Sequence, residues 1–116
     1  ILCLKGEIMQ VFVNLMTNAM DAFDSGEGVV RIRLREIADY VECMVTDNGS
    51  GMTDEAIQRA FEPFFTTKAM GKGTGLGLYI CYRIVTKHRG SINIDSTPGE
   101  GTSVIVTLPV CEGESV

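Results

Sequence analysis

The stretch Gln10-Val11-Phe12-Val13-Asn14-Leu15-Met16-Thr17-Asn18-Ala19-Met20-Asp21-Ala22 decides how the rest of this chain is read. At 3.6 residues per turn, Ile8, Val11, Phe12, Leu15, Ala19, Ala22 and Phe23 recur at the spacing of a core-facing helix surface. Beside them Asn14, Asn18 and Asp21 fall on one stripe, which Glu7 and Gln10 extend toward the N-terminus. A helix this apolar gains little solubility from neutral carboxamides, since charges would do that better. Enclosed polar groups need hydrogen-bonding partners, so the asparagines either cross-link neighbouring loops or hold a ligand. Glycine-rich segments further along the chain favour the ligand.

Outward from that helix, Ile1-Leu2-Cys3-Leu4 reads as a short strand, and Asp24-Ser25-Gly26-Glu27-Gly28 as the glycine-rich end of the helix near Phe23. Residues 29–35 alternate apolar and basic side chains at Val30, Ile32 and Leu34, the pattern of a half-buried strand. Residues 40–47 are its expected hairpin partner. Thr53 can N-cap a short helix reaching about Phe61, with Glu55 and Ala56 in its first turn. Another helix is expected from Gly75 to about His88, with Gly90 as its C-cap. Residues 91–95 and 103–108 then close the fold as a strand pair around Pro98-Gly99-Glu100-Gly101. This order predicts a two-layer α/β (α+β) sandwich, with three helices on one face of a mixed, mainly antiparallel sheet of about five strands. Residues 1–110 are expected to form one domain and residues 111–116 a loose tail.

A length of 116 residues suits one hydrophobic core, and 45% apolar with 22% charged residues is ordinary for a globular protein. A net charge of −5 argues against nucleic-acid binding, which needs a basic patch. No apolar run approaches the roughly 18 residues that span a bilayer, and no signal peptide opens the chain. Ile1 is not an initiator methionine, so a piece of a longer protein is expected. Cys3, Cys43, Cys81 and Cys111 are too far apart for a C-x-x-C motif. Three of them sit among apolar residues, as free core thiols do, which implies a reducing, cytoplasmic compartment.

Four segments look built for one nucleotide. Magnesium takes hard oxygen ligands and is often held by one or two protein groups plus substrate phosphates. The Asn18 carboxamide oxygen suits an ion that arrives with ATP, and Asn14 can hold a phosphate or a metal-bound water. In Asp47-Asn48-Gly49-Ser50-Gly51-Met52 a carboxylate ends a strand, where it can accept from the exocyclic amine of adenine and repel the carbonyl of guanine. Gly49 and Gly51 allow close approach to a flat base, and Met52 supplies an apolar wall. Gly71-Lys72-Gly73-Thr74-Gly75-Leu76-Gly77-Leu78 leads into a helix N-terminus suited to phosphates. It is neither a Walker A loop nor a dinucleotide fingerprint. Thr102 in Gly99-Glu100-Gly101-Thr102 can bridge to Asp47 if their strands are neighbours.

Together these segments resemble the ATP-binding catalytic domain of bacterial two-component sensor histidine kinases, within the superfamily shared with gyrase and the mismatch-repair clamps. Residues 10–19 are similar to that family's N box, and residues 47–52 to its first glycine box. Phe61-Glu62-Pro63-Phe64-Phe65-Thr66-Thr67-Lys68 resembles the F box, and residues 73–78 and 99–102 the later glycine boxes. The resemblance implies the Bergerat ATP-binding fold, ATP and magnesium as cofactors, Asn18 as the metal ligand and Asp47 as the adenine anchor. It implies a phosphate-side hinge at Gly73, Gly75 and Gly77 and an ATP lid from about Thr66 to Lys72. Phe61, Phe64 and Phe65 would fasten the lid's base by burying aromatic area. Asn14 and Lys68 are the candidates for a catalytic role. The nucleotide-binding set comprises Asn14, Asn18, Ala22, Asp47, Gly49, Gly51, Met52, Phe65, Thr66, Thr67, Lys68, Lys72, Gly73, Thr74, Gly75, Leu76, Gly77, Leu78 and Thr102.

Two positions depart from the family. Asp21 stands where many members carry lysine. Asn14 stands where hydrolytic cousins carry a glutamate base, and a carboxamide cannot accept a proton at neutral pH. Asn14 thus favours phosphoryl transfer over hydrolysis. The resemblance also requires a phosphoacceptor histidine on a separate dimerisation hairpin. The single histidine, His88 in Thr86-Lys87-His88-Arg89-Gly90, reads as a structural residue at a helix end. The implied partners are that hairpin and a response-regulator receiver domain. The whole protein is expected to be a homodimer and this fragment a monomer.

Overall fold

A computed structural model describes residues 5–21, 28–65 and 76–109. Its elements are α1 (Lys5–Asp21), β1 (Val30–Ile37), β2 (Tyr40–Asp47), α2 (Asp54–Arg59), α3 (Gly77–Lys87), β3 (Ser91–Thr97) and β4 (Gly101–Pro109). The strands form one sheet in the order β1-β2-β4-β3, and every pairing is antiparallel. The expected first strand, residues 1–4, lies outside the described residues, so the described sheet has four strands and no parallel pair. The expected tail, residues 111–116, lies outside them too.

Register explains which residues make the core. Cys43 pairs with Val106 and Val45 with Val104 between β2 and β4, while Ile92 and Ile94 of β3 meet Val106 and Val104. Paired residues share a sheet face, so these side chains all point one way, under α1 and α3. Val11, Leu15 and Ala19 of α1 and Cys81, Ile84 and Val85 of α3 complete the cluster. Leu15 is fully buried, which is worth about 2–3 kcal/mol relative to leaving it in water. Of the apolar stripe expected on α1, Val11, Phe12, Leu15 and Ala19 pack as expected, while Ala22 and Phe23 lie outside the described residues.

α2 starts as its sequence requires: Ala56 N–H donates to Thr53 Oγ1 at 3.1 Å. At the other end of α3, His88 Nδ1 meets the Ile84 carbonyl at 2.8 Å and Gly90 N–H donates to the Val85 carbonyl. His88 thus sits at a helix end, as its position implies. Cys43 and Cys81 are buried free thiols, and burial pushes the Cys81 thiol up to about 12.

One expectation fails. β1 is not half-buried: Ile32 is 50% and Leu34 63% exposed, and only Val30 packs against the core. The alternation itself holds, since Ile32 and Leu34 pair with Val45 and Cys43 and so face the helical side. Period 2 fixes which way a side chain points and not what lies above it. β1 is an edge strand of the described sheet, and beyond Val30 its helical face is left largely exposed by the described residues.

Candidate nucleotide site

The N-terminus of α3 gathers the asparagine stripe. Asn14 Nδ2 donates to the Gly77 carbonyl at 3.4 Å, and Gln10 Nε2 donates to Asn14 Oδ1 at 2.8 Å. Asn18 lies against Gly77 as well; a Cβ built on that glycine would be 3.5 Å from Asn18 Nδ2. One turn further along α3, the Cys81 thiol donates to the Val11 carbonyl. α1 and α3 are therefore antiparallel neighbours, and the α1 turn carrying Asn18 abuts the first turn of α3. Helix N-termini favour anions, and here two carboxamides border one.

The topology brings Asp47 to the same end of the molecule. Gly90, just past α3, lies against Thr107 and Leu108 of β4. Ser91 of β3 pairs with Thr107, and β3 runs from there to Thr97 opposite Gly101. The tight turn at residues 88–90 reverses the chain, so α3 begins near the Gly101 end of the sheet. Asp47 is at that end, in register with Thr102.

Asp47 is 8% exposed and is the buried charged side chain among the described residues. Its Oδ1 accepts from Gly49 N–H at 2.9 Å, which leaves most of its acceptor capacity for other donors. The loop after it is fastened on both sides. Val29 N–H donates to Asn48 Oδ1 at 2.9 Å, Gly99 N–H donates to the Ser50 carbonyl at 2.7 Å, and Met52 N–H donates to Ser96 Oγ at 2.8 Å. Gly51 (φ +73°) and Gly101 (φ +114°) need their identity: a Cβ on the first would strike the Thr97 carbonyl oxygen, and on the second the Asp47 carbonyl oxygen. An acceptor thus stands in a closely packed backbone cradle, the chemistry that a flat base bearing an amine requires.

Several expectations change in detail. Thr102 is opposite Asp47, but its Oγ1 meets Ser96 Oγ at 2.7 Å instead of bridging to the carboxylate. Phe61 packs against the core and stacks on Tyr82 with ring centroids 5.5 Å apart. Phe65 has the Arg59 guanidinium 4.5 Å from its ring centre. Phe64 is 74% exposed at φ +69°, so it does not bury aromatic area at the lid base as expected. Leu76 is the N-cap residue of α3, and Leu78 packs its side chain on the core, leaving its backbone for any ligand contact. Ala22, Thr66, Thr67, Lys68, Lys72, Gly73, Thr74 and Gly75 lie outside the described residues. Ser96 carries no mark in the sequence motifs. Its one signal is a hydroxyl in step with Ile92 and Ile94, at a core-facing position where an aliphatic residue would be expected.

Comparison with known proteins agrees with this geometry. Residues 4–112 match the family described as histidine kinase-, DNA gyrase B- and HSP90-like ATPase. Sporulation kinase E of Bacillus subtilis is 40% identical over 111 residues, covering 95% of this chain and 15% of that kinase. The solved catalytic domain of histidine kinase ThkA superposes with a TM-score of 0.80 at 32% identity, covering 92% of this chain and 68% of that one. Full-length ShkA, solved in complex with AMPPNP, gives a TM-score of 0.81 at 27% identity, covering 95% of this chain and 23% of ShkA. The chain belongs to the histidine kinase-, DNA gyrase B- and HSP90-like ATPase family. Within it, this is an ATP-binding catalytic domain of the sensor histidine kinase type. It spans only 12% to 24% of the length of the curated relatives it matches.

Proposed function

We propose that this domain binds magnesium–ATP between α1, the loop after β2 and the start of α3, and transfers the γ-phosphoryl group to a histidine on a separate dimerisation hairpin. From there the group passes to an aspartate on a response-regulator receiver domain. The observation that carries this reading is the buried Asp47 in its glycine-lined cradle, at the same end of the molecule as Asn14, Asn18 and the α3 N-terminus.

Asp47 accepts from the adenine amine and so orients the base. The donor set suits magnesium: Asn18 offers one hard, neutral oxygen beside a helix N-terminus, fitting an ion that brings waters and phosphate oxygens with it. Bound there, the ion would neutralise charge on the phosphates. Asn14 contributes positioning, its carboxamide held between Gln10 and Gly77. It has no proton-accepting form at neutral pH, which supports transfer over hydrolysis. Lys68 and Lys72 remain the cations proposed for the phosphate side, with Gly73, Thr74 and Gly75 leading into α3. Phosphoryl transfer depends mainly on positioning and charge stabilisation, and both lie within the reach of such a domain. Among the described residues no helix is long and apolar enough to cross a membrane. Buried free thiols and an ATP substrate support a cytoplasmic setting. The parent protein is proposed to dimerise through the hairpin, with this domain alone a monomer.

The test supplies the chain with γ-labelled ATP, magnesium and the phosphoacceptor hairpin of a related sensor kinase. Acid-labile, base-stable label on the hairpin, lost with Asn18→Ala in a folded variant, is the expected result. Steady phosphate release without any acceptor, or acid-stable label, would replace this reading with a hydrolase or a serine kinase.

A further inference from the structure

The Ser96 hydroxyl has three neighbours. Met52 N–H donates to it at 2.8 Å, the Gly101 carbonyl oxygen lies 2.9 Å away, and Thr102 Oγ1 lies 2.7 Å away. A serine hydroxyl has one proton and two lone pairs. The carbonyl of Gly101 can only accept, so the Ser96 proton points to it. Met52 N–H takes one lone pair. The other must then receive the Thr102 proton, because donation from Ser96 to Thr102 would leave two acceptors facing each other at 2.9 Å.

Thr102 thereby commits its one proton to Ser96 and presents only lone pairs elsewhere. It stands in register with Asp47, and paired residues share a sheet face. The Asp47 carboxylate and the Thr102 oxygen therefore lie on one sheet face at paired positions, two acceptors on neighbouring strands. Such a pair matches a base edge whose amino group carries two N–H donors. It rejects a carbonyl at that place twice over, since each acceptor would face another without a proton.

We propose that Ser96 is a positioning residue for base selection: it fixes the Thr102 hydroxyl so that Asp47 and Thr102 jointly select a purine bearing a 6-amino group. The proposal rests on Asp47 being the base anchor. Ser96 touches no nucleotide itself. It acts through Thr102 and through the Met52 amide, which it ties to β3.

Calorimetric titration of the chain with magnesium–ATP and with the triphosphate of purine riboside, which lacks the 6-amino group, separates this role from a structural one. Ser96→Ala is expected to weaken ATP by about five- to tenfold, the size of one good hydrogen bond, and the amine-free analogue by less than about twofold. Ser96→Thr, which keeps the hydroxyl, should retain the wild-type ratio. Ser96→Cys, similar in size but a poor hydrogen-bonding group, should behave as Ser96→Ala. Equal losses for both nucleotides, an unchanged ratio, or loss of fold in both Ser96→Ala and Ser96→Cys would overturn the proposal. A wild-type chain that fails to bind ATP would instead remove the base-anchor reading, before any variant is made.

Discussion

The two ends of β2 are built from the same alternating pattern and serve different purposes. At one end Asp47 is buried, Gly51 and Gly101 leave no room for side chains, and hydrogen bonds to Val29, Ser96 and Gly99 fasten the following loop. At the other end Ile37 and Tyr40 are exposed around the Ala38–Asp39 turn. The nearby open cleft of about 310 Å³ is lined by Tyr40, Arg89, Gly90, Ser91 and Thr107, with no buried charge. The difference lies in what sits at the core-facing register position when the strand ends. A charge there, enclosed by backbone, calls for a partner of opposite polarity. Where only exposed side chains finish the strand, water suffices.

The largest effect expected at the built end comes from filling it. Gly51→Ala adds backbone strain at φ +73° and a collision with the Thr97 carbonyl, about 2–5 kcal/mol of stability by denaturant unfolding. Gly99→Ala, in the neighbouring turn at φ +82° with open space around it, should cost only about 1–2 kcal/mol. Equal losses would mean that strain, and not enclosure, governs this end.

Asp47→Ala should weaken ATP binding by about 1.5–3 kcal/mol in calorimetry, the range for a hydrogen bond to a charged group. Its counterpart at the open end, Tyr40→Ser, should leave ATP affinity unchanged. Unaltered affinity in the Asp47 variant would remove the carboxylate from the pocket.

Between the two ends, the α1–α3 seam gives a pH test. Burial raises the Cys81 thiol to about 12, above its ordinary value of 9.0. The unfolded chain therefore loses this proton first as pH rises, so stability is intact below pH 9 and declines from there toward 12. The decline is about 1.4 kcal/mol per pH unit in that window, and Cys81→Ala should flatten it. Alkylation of native Cys81 near neutral pH should be slow, whereas ready labelling would show that the seam opens.

The smallest effect belongs to β1. Ile32→Thr and Leu34→Thr should each change stability by no more than about 0.5 kcal/mol, as exposed substitutions do. Larger losses would show that β1 is covered after all.

The helices and the two hairpins were legible in the sequence because period and turn chemistry are local. The α1 face from Val11 to Ala19 and the Thr53 cap follow from spacing that the structure keeps, whereas a meeting of Asp47 and Thr102 is expected only if their strands are neighbours, a condition that the fold supplies. What the sequence could not supply was cover. Ile32 and Leu34 alternate as core residues do, yet nothing in their own spacing says that α1 and α3 lie over β2, β4 and β3. The resemblance sets Phe64 beside Phe61 and Phe65 at the base of the lid, but at φ +69° it stands exposed. In the site, the carboxylate and glycines announce themselves by type. The triangle of the Ser96 and Thr102 hydroxyls and the Gly101 carbonyl lies within one hairpin, but Ser96 stands outside every glycine motif, and only its folded contacts to Met52, Gly101 and Thr102 single it out.

Where a nucleotide lands on this chain is decisive, and chemical-shift mapping of the isotope-labelled chain titrated with magnesium–ATP tests that most directly. Saturable changes concentrated at Asn14, Asn18, Gly49, Gly51, Gly77 and Thr102, with Tyr40, Gly90 and Thr107 unmoved, are the expected result. No change at any concentration, or changes centred on Tyr40 and Arg89, would contradict it.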